Sequence, residues 1–119
     1  MVVAIPYKKP EVLGEVVRGI VPILDVQFGN VWTNIDRATF EQLGVAKGGQ
    51  VKVRIFNEGE QVFAGAMPYV STFGDVPEGE TLLYLNSVDN VAFAINWGNF
   101  AETYGIASGP EWHVEVAKR

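Results

Sequence analysis

Between Asp25 and Ile35 the chain reads Asp-Val-Gln-Phe-Gly-Asn-Val-Trp-Thr-Asn-Ile, gathering an acid, Asn30, Asn34, Phe28 and Trp32 around Gly29. An asparagine both donates and accepts, which suits it to the amino and ring-nitrogen edge of a base such as adenine. A phenylalanine or tryptophan face supplies the stacking wall. Asp25 could pair with a cation. The same residues also read as ordinary structure, with Asn30 and Asn34 holding a turn and Phe28 and Trp32 plugging a core. Spacing alone leaves both readings open.

Other chemistries find little to work with. His113 is the single histidine, set between Trp112 and Val114 on an alternating stretch, and it reads as a packed or solvent-facing side chain rather than a proton shuttle. The sequence has no G-x-S-x-G nucleophile turn, no phosphate-binding glycine loop and no zinc-ligand spacing. With no cysteine, disulfides, thiolate metal sites and a cysteine nucleophile are excluded together. Neither a metal nor a cofactor is expected, and no catalytic residue is assigned.

The elements that must position these residues are short and β-rich. Glu15 to Asp25 is β-branched and apolar, broken at Gly19 and Pro22, as in a strand bent at a corner or edge. Val31 to Ile35 follows, and then Asp36 to Leu43 predicts a short helix with Asp36 as N-cap and Gly44 past its end. Gln50 to Phe56 alternates strictly and turns through Asn57-Glu58-Gly59-Glu60 into Gln61 to Met67, the clearest hairpin. A long connection, Pro68 to Glu80, carries Phe73 on an irregular stretch. Thr81 to Asn86 and Val91 to Ile95 flank a second hairpin turn, Asn96 to Tyr104 predicts a second short helix capped by Asn96, and Trp112 to Val116 closes the series. The absence of a βαβ rhythm points to an all-β fold: a small closed or partly closed Greek-key barrel of about six to seven strands with two short helices.

At 119 residues and 48% apolar content, the chain is one folding unit with a core. Residues 1–13, with the Ile5 to Glu11 stretch rich in proline and lysine, read as a linker-like segment, and 14–119 as the domain. The net charge of -5 and the scattered lysines and arginines disfavour a nucleic-acid partner, and an oligonucleotide-binding barrel with it. No apolar run suits a signal peptide or a bilayer span, so no membrane role is expected and a cytoplasmic location is.

Three segments carry a resemblance: D-x-x-FGN-x-W-TNI from Asp25, TFG-x-V-x-EGE-x-LLYLNS from Thr72, and N-x-GNFA from Asn96. In this order and spacing they resemble the C-terminal domain of the SAM hydroxide adenosyltransferase, fluorinase and chlorinase family, over nearly all of the chain from Gly14 onward. The resemblance implies a β-barrel that holds S-adenosyl-L-methionine (SAM) or adenosine as a substrate. An N-terminal catalytic domain, in cis or from a neighbouring subunit of a homotrimer, would supply the attack.

By the same resemblance Asp25 meets the methionine ammonium, Phe28 packs on adenine, Asn30 reads its edge and Trp32 stands beside them. Phe73 is a further wall, Ser87 and the Val88 backbone meet the methionine head, and the Ile95 and Trp97 backbones complete adenine recognition. Val88 and Ile95 are apolar where halogenases carry arginine, so only backbone contacts carry over there. Asp89 replaces a frequent glycine, and Trp97 a smaller or polar residue. The family's catalytic acid, arginine and histidine have no counterpart in this sequence, so the chain alone is expected to bind rather than catalyse. The alternative is a non-catalytic interaction or oligomerisation module of the same fold.

Overall fold

A computed structural model describes residues 11–25 and 28–119. The proline- and lysine-bearing opening, residues 1–10, lies outside the described residues, as does Gln27 of the glycine turn.

Strict alternation builds the first sheet. In β5 (Gln50–Asn57), Val51, Val53 and Ile55 are wholly buried while Lys52 and Arg54 face out. It pairs with β6 (Glu60–Pro68) across a turn whose central residues, Glu58 at φ 50° and Gly59 at φ 85°, both take the left-handed conformation. Two such residues fit the right-handed twist of a tight hairpin. On the other side β5 pairs with β9 (Gly109–Lys118), which pairs in turn with β2 (Val16–Val21). At the edge lies β1 (Glu11–Leu13), so ordered pairing already begins within the stretch read as linker-like. The order is β1-β2-β9-β5-β6, antiparallel throughout.

Pro22 lacks the N–H that a continuing ladder would need, and the chain leaves the first sheet there. It enters a second antiparallel sheet of β3 (Ile23–Asp25), β4 (Asn30–Asp36), β8 (Asn90–Ile95) and β7 (Thr81–Leu85), in that order. The two layers also meet where Tyr69 bridges to Leu83, with the Val70 N–H donating to the Leu83 carbonyl at 3.0 Å. They do not close into the expected barrel. Nine described strands stand in two sheets instead of six or seven in one: the bend at Pro22 splits a single apolar run into β2 and β3, and β1 adds an edge strand.

The core lies between the layers. Phe93 and Phe100 are fully buried, and Phe63 sits 5.1 Å from Phe100, centroid to centroid. Short helices stop its ends. Helix α1 (Arg37–Glu41) buries Phe40 against Tyr69 and starts at the expected cap Asp36. Helix α2 (Phe100–Tyr104) starts at Asn99, three residues later than expected, and ends at Gly105 with φ 68°. Asn96 is not its cap, because Asn96 is already committed: its N–H donates to the Glu80 carbonyl at 3.0 Å and its Nδ2 to the Val76 carbonyl at 2.9 Å.

The Asp36 cap makes the fold acid-sensitive. The Thr39 hydroxyl donates to its carboxylate at 2.6 Å and holds the group below its ordinary value of 3.8, against a smaller opposing effect of desolvation. A depressed carboxylate contributes stability that is full above the unfolded value and fades as pH falls through the folded one. Asp36→Ala should therefore cost about 1 kcal/mol at pH 7. In urea titrations, its gap from the wild type should narrow from pH 7 to pH 3; a constant gap would contradict the assignment.

Candidate functional site

The glycine turn between β3 and β4 is anchored at both ends. Asp25 and Asn30 are register partners, and the Gly29 N–H donates to the Asp25 carbonyl at 2.6 Å. Gly29 is left-handed at φ 72°, and a Cβ there would collide with the side-chain amide of Asn99. The Ala101 N–H donates to the Gly29 carbonyl at 2.9 Å. The turn is thus docked on the start of α2, and Phe28 is left 56% exposed at its tip.

Behind the turn runs a directed chain of hydrogen bonds. The Asn30 Nδ2 donates to Asp25 Oδ2 at 3.3 Å and to the Tyr84 hydroxyl at 3.0 Å, while the Trp32 Nε1 donates to the same hydroxyl at 3.3 Å. The carboxylate only accepts and the indole N–H only donates, so Asp25 orients the Asn30 amide and the Tyr84 hydroxyl is the acceptor on which the bonds from Asn30 and Trp32 converge. The Asn30 amide is therefore oriented with Nδ2 toward Asp25. Its Oδ1 is left buried without a partner, in a residue only 2% exposed. Burial pushes the Tyr84 phenol above its ordinary value; the bonds from Trp32 and Asn30 oppose this, and the Asp25 charge adds to it.

Beside this chain opens a cleft of about 790 Å³, lined by Phe28, Phe73, Ile95, Trp97 and the 96–99 turn. Phe73 belongs to both features. It stands edge-on to Tyr84 with ring centroids 5.3 Å apart, on a 3-10 turn (Phe73–Asp75) whose Asp75 carboxylate accepts the Thr72 N–H at 3.2 Å. Val70 and Val76 hold that segment down on Leu82 and Ala94 of the sheet. Trp97 lines the cleft while remaining 84% exposed, with its backbone at φ 60°. Among the described residues, none of the lining side chains is titratable.

The sequence pattern of the SAM hydroxide adenosyltransferase C-terminal domain matches residues 19–113. The chain belongs to this family. It is similar to the fluorinase of Nocardia brasiliensis, 37% identical over 117 residues that make up 97% of this chain and 38% of that protein. To the fluorinase of Actinoplanes it is 35% identical over 107 residues, 87% of this chain and 35% of the relative. The chain thus spans little more than a third of the length of these relatives. Among solved structures, a conserved protein from Thermotoga maritima superposes with a TM-score of 0.80 at 30% identity, covering 99% of this chain and 41% of its own.

Of the residues that the resemblance singles out, Phe28, Phe73, Ile95 and Trp97 line the cleft, while Asp25, Asn30 and Trp32 are joined through the Tyr84 hydroxyl, on whose ring Phe73 packs. Ser87 and Val88 are not among the lining residues and stand in the β7–β8 hairpin turn. Leu85 pairs with Val91 beside the hairpin turn and Thr81 with Ile95 at the other end, so turn and cleft are separated by the length of β8. From Val91 to Ile95 that is about 13 Å. The Val88 N–H, moreover, already donates to Asn86 Oδ1 at 3.1 Å. Asp89 takes the left-handed conformation expected of it, at φ 65°, and pairs with Arg37 at 2.8 Å. His113 is half-buried on the other sheet, opposite Phe56 in register, remote from the cleft.

Sequence reasoning missed Tyr84, Asn96 and Asn99. Tyr84 was visible only as one apolar strand residue among Leu82, Leu83 and Leu85, although its alternate position puts it on the face opposite Leu83 and Leu85. Tyr84→Phe should cost about 1–3 kcal/mol, because it strands the Trp32 N–H and half of the Asn30 amide. The raised phenol adds a signature: its contribution is full below pH 10 and is lost as pH rises beyond that, because the unfolded chain ionises first. In chemical denaturation the wild type should therefore approach Tyr84→Phe in stability above pH 10; parallel curves would refute the role of the hydroxyl.

Proposed function

We propose that this domain binds SAM and adenosine, as the ligand-holding half of an enzyme that displaces methionine from SAM with water or halide. The observation that carries the reading is an aromatic cleft without titratable side chains, set beside a carboxylate. Adenine would lie between the Phe28 and Phe73 walls over Ile95; the Ile95 carbonyl and the Asn96 peptide groups are already bonded within the fold, so its edge would turn to the Trp97 peptide. Asn30 stands next to the cleft with an unspent carbonyl, which is an acceptor for an exocyclic amino group once the rim yields to the ligand. Asp25 supplies the counter-charge for the methionine ammonium. A methionine tail laid along β8 toward the hairpin turn would bring its head to Ser87.

Charge distribution supports a cationic rather than a phosphorylated ligand. No lysine or arginine occurs between Gly19 and Asp36, or between Ile55 and Ala117, the stretches that build the cleft; Asp25, Asp75, Glu78, Glu80 and Glu102 do. Those stretches offer a phosphate no cation of their own, and Lys47, which reaches the 68–80 connection, is held by the Ser71 hydroxyl at 2.7 Å, whereas a sulfonium with an ammonium tail would be drawn in.

The reaction on this reading is displacement at the ribose C5′: the nucleophile's lone pair forms the new C5′ bond as the C5′–sulfur bond breaks, and the electron pair leaves with neutral methionine. The sulfonium is already a good leaving group, so the work is positioning and desolvation. The cleft residues hold and orient the nucleoside. Attack on the bound ligand falls to an N-terminal catalytic domain, in cis or from a neighbouring subunit. The fluorinases, of which this chain matches little more than a third, leave room for one.

Titration calorimetry tests this reading. Wild-type chain should bind both SAM and adenosine. Phe28→Ala should weaken both, and Asp25→Asn, which keeps an acceptor for Asn30 but loses the charge, should weaken SAM by about tenfold while leaving adenosine unchanged. Absence of binding for both ligands at millimolar concentration would end the proposal in favour of an interaction module.

A further inference from the structure

Trp97 occupies a position where tryptophan carries two costs. Its backbone is left-handed at φ 60°, a conformation unfavourable for a bulky side chain, and its ring is 84% exposed to water. The turn itself requires the backbone: Gly98 N–H closes onto the Ile95 carbonyl at 3.1 Å, and Asn96 is tied to Glu80 and Val76 on the preceding loop. Glycine or asparagine would meet that requirement with less strain. The indole is therefore not explained by the fold, which would be served as well or better without it. The other tryptophans are placed differently, Trp112 buried at 6% exposure and Trp32 half-buried and hydrogen-bonded to Tyr84.

We propose that the Trp97 indole stacks on the base of the adenosyl ligand and closes the cleft over it, so that this residue sets the affinity of the domain for purine nucleosides. The inference rests on the reading of the cleft given above and adds to it a side chain where the resemblance offered only backbone. Three observations carry it. Trp97 lines the same cleft as Phe28 and Phe73, so a flat ring entering there meets aromatic surface from separate segments of the chain. The cleft segments lack lysine and arginine, which leaves stacking rather than phosphate pairing as the available attraction. Strain and exposure together are the signature of a residue kept for a contact made outside the folded chain.

Trp97→Gly separates this role from a structural one, because the two predict opposite signs. Removing the ring relieves the left-handed strain, so thermal stability should equal or exceed that of the wild type. Loss of one stacking partner should weaken adenosine binding by about five- to a hundredfold. Trp97→Phe should recover part of that loss. Tryptophan emission gives an independent reading: at saturating adenosine the quench or shift should be larger in the wild type than in Trp97→Gly, where Trp32 is the tryptophan left at the site. Wild-type chain that binds neither adenosine nor SAM would overturn the reading of the cleft itself. Wild-type binding with equal affinity in Trp97→Gly would overturn the stacking role alone. A Trp97→Gly chain whose oligomeric mass changes while its affinity holds would assign the indole to a subunit contact and overturn the stacking role too.

Discussion

The close approach of Gly29 to Asn99 is the constraint on which the site depends. Asn99 faces two ways: its Oδ1 accepts the Glu102 N–H at 2.8 Å and so starts α2, while its amide fills the space where a Cβ at position 29 would stand. The β3–β4 turn and the β8–α2 turn are thereby held as one unit, with the Ala101 N–H on the Gly29 carbonyl as the second tie. Phe28 comes from the first turn and Trp97 from the second. Without this contact the two would be tips of separate loops, and the cleft between them would have no fixed width. Any side chain at position 29 would meet both a positive φ and an occupied volume, so glycine is required there twice over.

A second level of order lies in the polarity of the hydrogen bonds. Asp25, Asn30, Tyr84 and Trp32 come from β3, β4 and β7, and their bonds have fixed donors: the Asn30 amide gives one hydrogen to the obligate acceptor Asp25 and the other to the Tyr84 hydroxyl, which also accepts from the Trp32 indole. An asparagine in such a chain loses its usual ambiguity. Both of its hydrogens are spent, and what it retains is an acceptor. The Tyr84 ring also extends the order into the cleft, since Phe73 leans on it edge-first. A half-buried network of this kind favours one arrangement at some cost in desolvation, which here appears as the Asn30 Oδ1 without a partner among the described residues.

Local chemistry made much of this legible in the sequence. Val51, Val53 and Ile55 announced their strand by alternation, Glu58-Gly59 their turn, Asp36 its helix, and Pro22 the corner. The cluster around Gly29 was recognisable because the residues lie within one turn of chain. What failed was whatever depends on partners distant in sequence. Closure of a sheet is a matter of register and stagger among strands far apart, and no single residue encodes it. Asn96 and Asn99 are equally good helix caps by type; only the bonds of Asn96 to Glu80 and Val76 decide between them.

The electrostatics of the cleft bear on how the chemistry must be divided. With acids and no lysine or arginine in its own segments, this face favours a cation and repels hydroxide or halide. On the proposed reading that is an advantage before the reaction and a handicap during it. The substrate carries a sulfonium and an ammonium, which the acidic face attracts; the nucleophile is an anion or becomes one, and it needs donors or cations at its side to leave bulk water. The two demands are incompatible on a single surface. Separating them across a joint between two domains resolves the conflict: the nucleoside side can stay acidic and aromatic, and the attacking side can supply positive charge. An apolar lining then serves both, since excluding water strengthens the attraction on each side of the joint without adding a group that could capture the nucleophile itself.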